Sequence, residues 1–393
     1  MKKAVIIGAG NIGRGFIGQI MYEAGYEICY IDVVETVVNA LNERHEYPLE
    51  IVSSGNSKRM MIGNVRAVNG NDHEAAAREI AGCDICVTCV GAKAIKFVMP
   101  YFIKGVKIRH AESGRPINLL ICENLMDADK YIHSIIEPEL TEEELSSVGL
   151  VETSVGRMVP VPDKDLLAKD PLIVRAEAYS VLPCDKAAFK EEVNDIPSLI
   201  PIEPFRFVIE RKLYIHNMGH AVCAYLGKYM GYKYIYEAIA NPYIRLIVRE
   251  AITSSAVALS KKYDKPLPDI LLHTEDLIRR FGNSSLGDTC ERVGNDVPRK
   301  LAREDRLTGA AMEVLSSGGH PVFISVGAAA ALYDYNPDAE DPKVEFEKLC
   351  GTDEKEYIDT ALLFFDMFKK RISPSEIIKE SDRILSEKYP RVI

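Results

Sequence analysis

The stretch "KAVIIGAGNIGRGFIGQIMYEAGYEICYID" constrains the fold of this chain more than any other. A short apolar run closes on Gly8, Gly10 and Gly13, a segment with helical spacing follows, and a second apolar run ends on Asp32. Three glycines in this spacing arise often by chance, but not between a strand and a helix with an acidic residue closing the next strand. There Gly8 permits a tight turn, Gly10 lets a pyrophosphate approach the backbone, and Gly13 lets helix and strand pack closely. The helix start adds free N–H groups and the positive end of a dipole. Asp32 is placed to accept hydrogen bonds from ribose hydroxyls and to repel a 2′-phosphate, which selects NAD over NADP.

The pattern continues. "ETVVNALNERH" reads as a helix, residues 47–69 as two β runs around a Ser-Gly-Asn turn, and "DICVTCVG" and "INLLICEN" as buried strands flanking the helix "KAIKFVMPYFIK". Repeated strand–helix alternation with apolar strands predicts a mostly parallel, doubly wound α/β Rossmann-type sheet covered on both faces. "LVETSVGRMVPVP" and "PLIVRAEAYSVLP" carry β signals and are expected to add strands to that sheet. The proline-rich "EEVNDIPSLIPIEPF" marks a boundary. The expected organisation is a dinucleotide-binding domain over 1–197 and a mostly α-helical substrate and catalytic domain over 198–393, in keeping with a chain of 393 residues, too long for one core.

Charge narrows the partners. A net charge of −10 argues against nucleic acid and against an anionic membrane surface. No run approaches the ~20 apolar residues of a membrane span, and Arg14 and the glycines interrupt the N-terminal apolar run before it resembles a secretion signal. Nine cysteines at scattered spacings suit free thiols in a reducing cytoplasm. Cys83, Cys86 and Cys89 have a spacing used by iron–sulfur sites, but on a strand Cys86 points away from its neighbours, so no metal is expected.

The second half holds an unusual helix, "FVIERKLYIHNMGHAVCAYLGK". On an ideal helix Lys212, His216 and His220 form one stripe, with Asn217 about 60° beyond His220. A lysine with a depressed pKa serves as general base for an alcohol, and amide and imidazole N–H groups suit a developing alkoxide.

"GAGNIGRGFIG", "TCVG" at 88–91, "CEN" at 122–124, "RKLYIHNMGHAVCAYLGK" and "ERVGNDVPRKL" at 291–301 occur in that order. Together they resemble the polyol-specific long-chain dehydrogenases of the mannitol dehydrogenase family over nearly the whole chain. The resemblance implies a metal-independent NAD enzyme with Lys212 as general acid or base. Asn217 and Asn124 would form the oxyanion site, and His220 would orient substrate hydroxyls. It also implies Arg292 and Lys300 as phosphate ligands, with Arg157 beside the substrate, and a cofactor site of Gly8, Ala9, Gly10, Asn11, Ile12, Gly13, Arg14, Asp32, Val90 and Gly91. The expected reaction interconverts D-mannitol 1-phosphate and D-fructose 6-phosphate in a cytoplasmic monomer or small homo-oligomer. One departure stands out: "TSVGRMVP" places Gly156 where the family carries an aspartate, which opens substrate choice to free polyols or hexuronates such as tagaturonate and fructuronate. A β-hydroxyacid dehydrogenase would have its asparagine four residues after the lysine rather than five. A catalytically dead NAD(H) sensor would not need Lys212, Asn217 and His220 together.

Overall fold

The computed structural model describes residues 1–393 apart from 54–55, 161, 163 and 390–393. It divides into two compact units, Met1–Val208 and Ile209–Ile393.

The first unit contains β1 (Lys3–Ile7), β2 (Glu27–Asp32), β3 (Tyr47–Ser53), β4 (Asn56–Ile62), β5 (Val65–Asn69), β6 (Ile85–Thr88), β7 (Ile117–Ile121), β8 (Val148–Glu152), β9 (Val174–Glu177), β10 (Leu182–Asp185) and β11 (Leu199–Ile202). Six of them form a sheet in the order β5-β2-β1-β6-β7-β8, with every neighbouring pair parallel. The mostly parallel α/β architecture is therefore as the sequence predicts. Alternate residues feed two cores: Ala4, Ile6, Ile28, Tyr30 and Val87 on one face, and Val5, Ile7, Cys29, Ile31 and Cys86 on the other. Burial on both faces is why these strands read as unbroken apolar runs. Truncating one such residue, as in Ile6→Ala, would cost about 2–5 kcal/mol. Strand order reverses at β1, between β2 and β6, and ligands of such sheets bind at the C-terminal strand ends at that switch point.

Three expectations need correction. Residues 47–69 form three strands rather than two, because Asn64 turns the chain at φ 54° and lets β5 join the main sheet beside β2. The Ser-Gly part of the predicted turn lies outside the described residues, although β3 and β4 pair across it in antiparallel register. Of the segments expected to extend the main sheet only β8 does so; β9 pairs with β3 and β10 with β11. The cysteines do not alternate as predicted either. Cys83 precedes β6, so strand alternation does not govern it, and it shares one core with Cys86, whereas Cys89 packs on the opposite core with Cys122.

In the second unit the described regular elements are helices, joined by one isolated bridge between Tyr234 and Thr289. Helix Val322–Tyr335 is buried on all sides from Val322 to Leu332, the behaviour of a central core helix. Helix Met218–Tyr229 packs on it so closely that a Cβ on Gly327 would lie 2.4 Å from a methyl of Val222. On another side, a Cβ on Gly219 would lie 2.6 Å from Ile252 of helix Pro242–Tyr263. These approaches fix the helix that carries His220.

Candidate active site

The glycine turn after β1 behaves as its spacing predicts. Gly8 has φ +103°, and a Cβ there would meet the Cys89 carbonyl oxygen at 2.7 Å. A Cβ on Gly13 would meet the Gly8 carbonyl oxygen at 2.0 Å, whereas Gly10 is exposed with nothing within 4 Å. Two glycines thus close the turn and the third leaves room for a ligand. The Ala9 N–H donates to Asp32 Oδ2 at 2.6 Å and the Val34 N–H to Oδ1 at 2.9 Å. Each carboxylate oxygen retains acceptor capacity for a ribose hydroxyl. These residues fit a dinucleotide.

Beyond Asn11 and Ile12 the backbone departs from the predicted regular helix. Gly13–Ile17 is a π-turn, and the α-helix proper is Gly18–Glu23. The Arg14 side chain is buried and braces the turn from behind, donating from Nε to the Ala9 carbonyl at 2.7 Å and from Nη1 to the Leu172 carbonyl. Val90 flanks Gly8, its Cγ1 3.1 Å from where a Cβ would stand. The N–H groups of Val90 and Gly91 donate to the two oxygens of Glu123 at 2.9 and 2.7 Å. Glu123, the central residue of "CEN", was passed over in the sequence although it pins this loop. Burial pushes its carboxyl up while the two N–H groups oppose the shift. Asn124 follows it and is exposed.

Arg157 is buried, donating to the Glu177 carbonyl and to Gln19 Oε1 at 2.7 Å each, with its guanidinium over the Phe16 ring. Burial lowers its pKa to about 10. Gly156 lies against Tyr179, whose Cε1 is 3.3 Å from the place of a Cβ, so an aspartate here would displace that ring.

In the second unit, Lys212–Asn217 is itself a π-turn, continued by helix Met218–Tyr229. The Met218 N–H donates five residues back, to the Leu213 carbonyl. On an ideal helix Lys212 and Asn217 would lie about 140° apart. The wider turn brings residues five apart onto one face, and His220 follows one α-turn later. His216 stays beside His220, as in the predicted stripe, its ring centroid 6.1 Å from that of His220. Lys212, Asn217 and His220 are partly exposed, while Tyr214, Ile215 and His216 are buried.

His220 stacks on Phe281, ring centroids 4.7 Å apart, and its Nε2 lies 3.4 Å from Asp288 Oδ2 without hydrogen-bond geometry. Burial lowers the imidazole pKa to about 4; Asp288 opposes the shift, and Arg292, Arg306 and Arg280 add to it. The ring is neutral. Arg292 is largely exposed and bonds Asp288 through Nε at 2.7 Å. Lys300 is 5% exposed, and its pKa falls to about 8 through burial and the charges of Arg306 and Arg299. Sequence reasoning missed Asp288, Phe281 and Arg306 because none stands in a motif.

The model of the Mannitol dehydrogenase Rossmann domain matches residues 2–198, and that of the Mannitol dehydrogenase C-terminal domain matches residues 202–368. The chain belongs to the mannitol dehydrogenase family.

Its similarity to members of that family extends over most of its length. The mannitol-1-phosphate 5-dehydrogenase of Thermoanaerobacter pseudethanolicus is 35% identical over 350 residues, covering 88% of this chain and 89% of the relative. The Bacillus subtilis enzyme of the same name is 34% identical over 360 residues, covering 90% and 92%. Among solved structures, a substrate-free D-sorbitol dehydrogenase superposes with a TM-score of 0.76 at 15% identity, covering 95% of each chain. Pseudomonas fluorescens mannitol 2-dehydrogenase gives 0.71 at 15% identity, covering 98% of this chain and 94% of that one. These two establish the shared fold. As a mannitol dehydrogenase family member the chain is an oxidoreductase with a nicotinamide-dinucleotide Rossmann domain, acting on polyol or sugar substrates. Among the described residues no helix is long and apolar enough to cross a membrane.

Proposed function

We propose that this enzyme interconverts D-mannitol 1-phosphate and D-fructose 6-phosphate with NAD. The observation that carries the reading is the π-turn from Lys212 to Asn217, on which both stay partly exposed, as does His220 in the helix that continues it, in the same unit as Lys300. When bound, the nicotinamide supplies or accepts the hydride. In the oxidative direction Lys212 takes the proton of the reacting hydroxyl and returns it in reduction. Asn217 donates from its amide to the alkoxide. Neutral His220 orients neighbouring hydroxyls as a donor or acceptor. Lys300 and Arg292 supply positive charge for the phosphate. Asp32 receives the ribose hydroxyls of NAD and disfavours a 2′-phosphate. The relatives named mannitol-1-phosphate 5-dehydrogenase support this substrate over its unphosphorylated counterparts.

The test is an NADH-oxidation screen with fructose 6-phosphate, fructose, tagaturonate and fructuronate. Fructose 6-phosphate is expected to give the highest kcat/KM, by roughly a hundredfold or more over fructose, as loss of a charged pair of contacts implies. Faster turnover of either hexuronate would replace the reading with a hexuronate reductase.

A further inference from the structure

Three arginines between residues 292 and 306 each hold a carboxylate. Arg292 pairs with Asp288, Arg299 with Asp296 at 2.7 Å, and Arg306 with Asp305 at 2.7 Å. Lys300 has no such partner: among the described residues none forms an ion pair or a hydrogen bond with its ammonium, although only 5% of the residue is exposed. Asp296 and Asp305 act on this ammonium from a distance, against the stronger charge of Arg306, and neither bonds it. A lysine this deep with no direct carboxylate partner is placed to receive an anion.

Arg306 is held beside it by the backbone. The Leu307 N–H donates to the Lys300 carbonyl at 3.3 Å, closing the loop between them and bringing Arg306 back against Lys300. The Arg306 side chain is 12% exposed. Asp305 Oδ1 receives both the Arg306 backbone N–H and its Nε, each at 2.7 Å. Asp305 thus takes one edge of the guanidinium and fixes its direction, while the Nη1 and Nη2 end carries no acceptor among the described residues. Nearby, the hydroxyl of Tyr225 is buried without a hydrogen-bond partner. The positive charge of Arg306 reaches Lys300, His220 and Tyr225 alike, and it is the strongest of the charges that depress Lys300. Two cations held together inside a protein repel until an anion lies between them.

We propose that Arg306 is the guanidinium fork of the substrate-phosphate pocket, closing on the phosphoryl group together with the Lys300 ammonium. The inference rests on the reading of the substrate as a phosphate ester. It assigns the bidentate contact to a residue outside the family motif and leaves Arg292, exposed and tied to Asp288, as the outer arm. A planar fork and a point charge suit two different oxygens of one phosphoryl group.

The experiment uses the full chain and Arg306→Gln and Arg306→Lys variants, with inorganic phosphate as the probe. Phosphate is expected to inhibit the wild type competitively against the ketose phosphate and not against NADH, which separates this pocket from the cofactor's pyrophosphate site. Its inhibition constant should rise roughly tenfold or more in Arg306→Gln and less in Arg306→Lys, which keeps the charge but not the fork. In the same variants kcat/KM for fructose 6-phosphate should fall, mainly through KM, while that for free fructose stays within about threefold. Unchanged phosphate inhibition in Arg306→Gln, inhibition competitive with NADH, or equal losses on both sugars would overturn the assignment. If the wild type proves to prefer an unphosphorylated substrate, the functional reading fails. The phosphate inhibition constants of wild type and variants still decide whether Arg306 holds an anion. Should Arg306→Gln not fold, Arg306→Lys supplies the same comparison.

Discussion

Asp288 binds Arg292 through Oδ1 and faces His220 Nε2 at 3.4 Å with Oδ2, so a single carboxylate, 12% exposed at its side chain, adjoins two residues of the proposed substrate site. Because Arg292 is largely exposed, its ion pair contributes at most about 1 kcal/mol to stability. Asp288→Asn is therefore expected to leave the melting temperature nearly unchanged. It should lower kcat/KM for the polyol phosphate by roughly tenfold, with KM carrying most of the loss. It also removes a charge that raises the His220 pKa. Proton NMR should then show His220 titrating below its wild-type value.

The π-turn predicts opposite roles for two neighbouring polar residues. Lys212→Ala should lower kcat at saturating substrate by a factor of about 10²–10⁴, the range for losing a general acid–base, with little effect on stability. His216 is buried against Phe281, ring centroids 5.8 Å apart. His216→Ala should cost about 2–4 kcal/mol in denaturant unfolding, as cavity-forming core truncations do, while the folded variant keeps kcat within a few-fold. A Lys212→Ala enzyme with near-normal kcat would remove lysine from the mechanism.

Anion binding should depend on the Lys300 proton. Its pKa of about 8 reflects burial first, then Arg306 and Arg299, partly offset by Asp296 and Asp305. The protonated amine attracts phosphate and the neutral amine does not, so affinity is retained below pH 8 and lost above it. The KM for fructose 6-phosphate and the inhibition constant of inorganic phosphate should both rise above pH 8. In Lys300→Met that pH dependence should vanish, with weak binding at every pH.

Acid should weaken the helical unit through its neutral histidines. His220 has a pKa of about 4 and His216 one well below the usual imidazole value, both chiefly through burial. In the unfolded chain both titrate near 6.5. Between those values the unfolded state binds more protons than the folded one. Their contribution is thus fully present above pH 6.5 and declines as pH falls toward 4, by up to ~1.4 kcal/mol per pH unit for each histidine. Denaturant midpoints measured from pH 7.5 to 4.5 should fall accordingly, and less steeply in a His216→Phe variant.

The parallel sheet was legible because β1, β2 and β6 are covered on both faces and leave unbroken apolar runs in the sequence. The partners of β9 and β10 were not, since hydrophobic periodicity indicates that a strand exists but not which edge it joins. Lys212, Asn217 and His220 stand together in one sequence motif. Their geometry was not legible, because a helical wheel assumes 3.6 residues per turn and the chain inserts a wider turn there. Arg306 carried no signal at all: it meets Lys300 only through the loop that Leu307 closes. Glu123 sat inside a quoted motif and was still overlooked, since a buried carboxylate serving two backbone N–H groups leaves no periodic trace.

The close seats at Gly219 and Gly327 deny the helix that carries His220 any freedom to roll about its own axis, since a roll would drive Ile252 and Val222 into main chain. Whatever meets the His220 side chain therefore meets a fixed template. Freedom to change is left to exposed positions such as Arg292, whose side chain is 70% exposed and disturbs no packed neighbour.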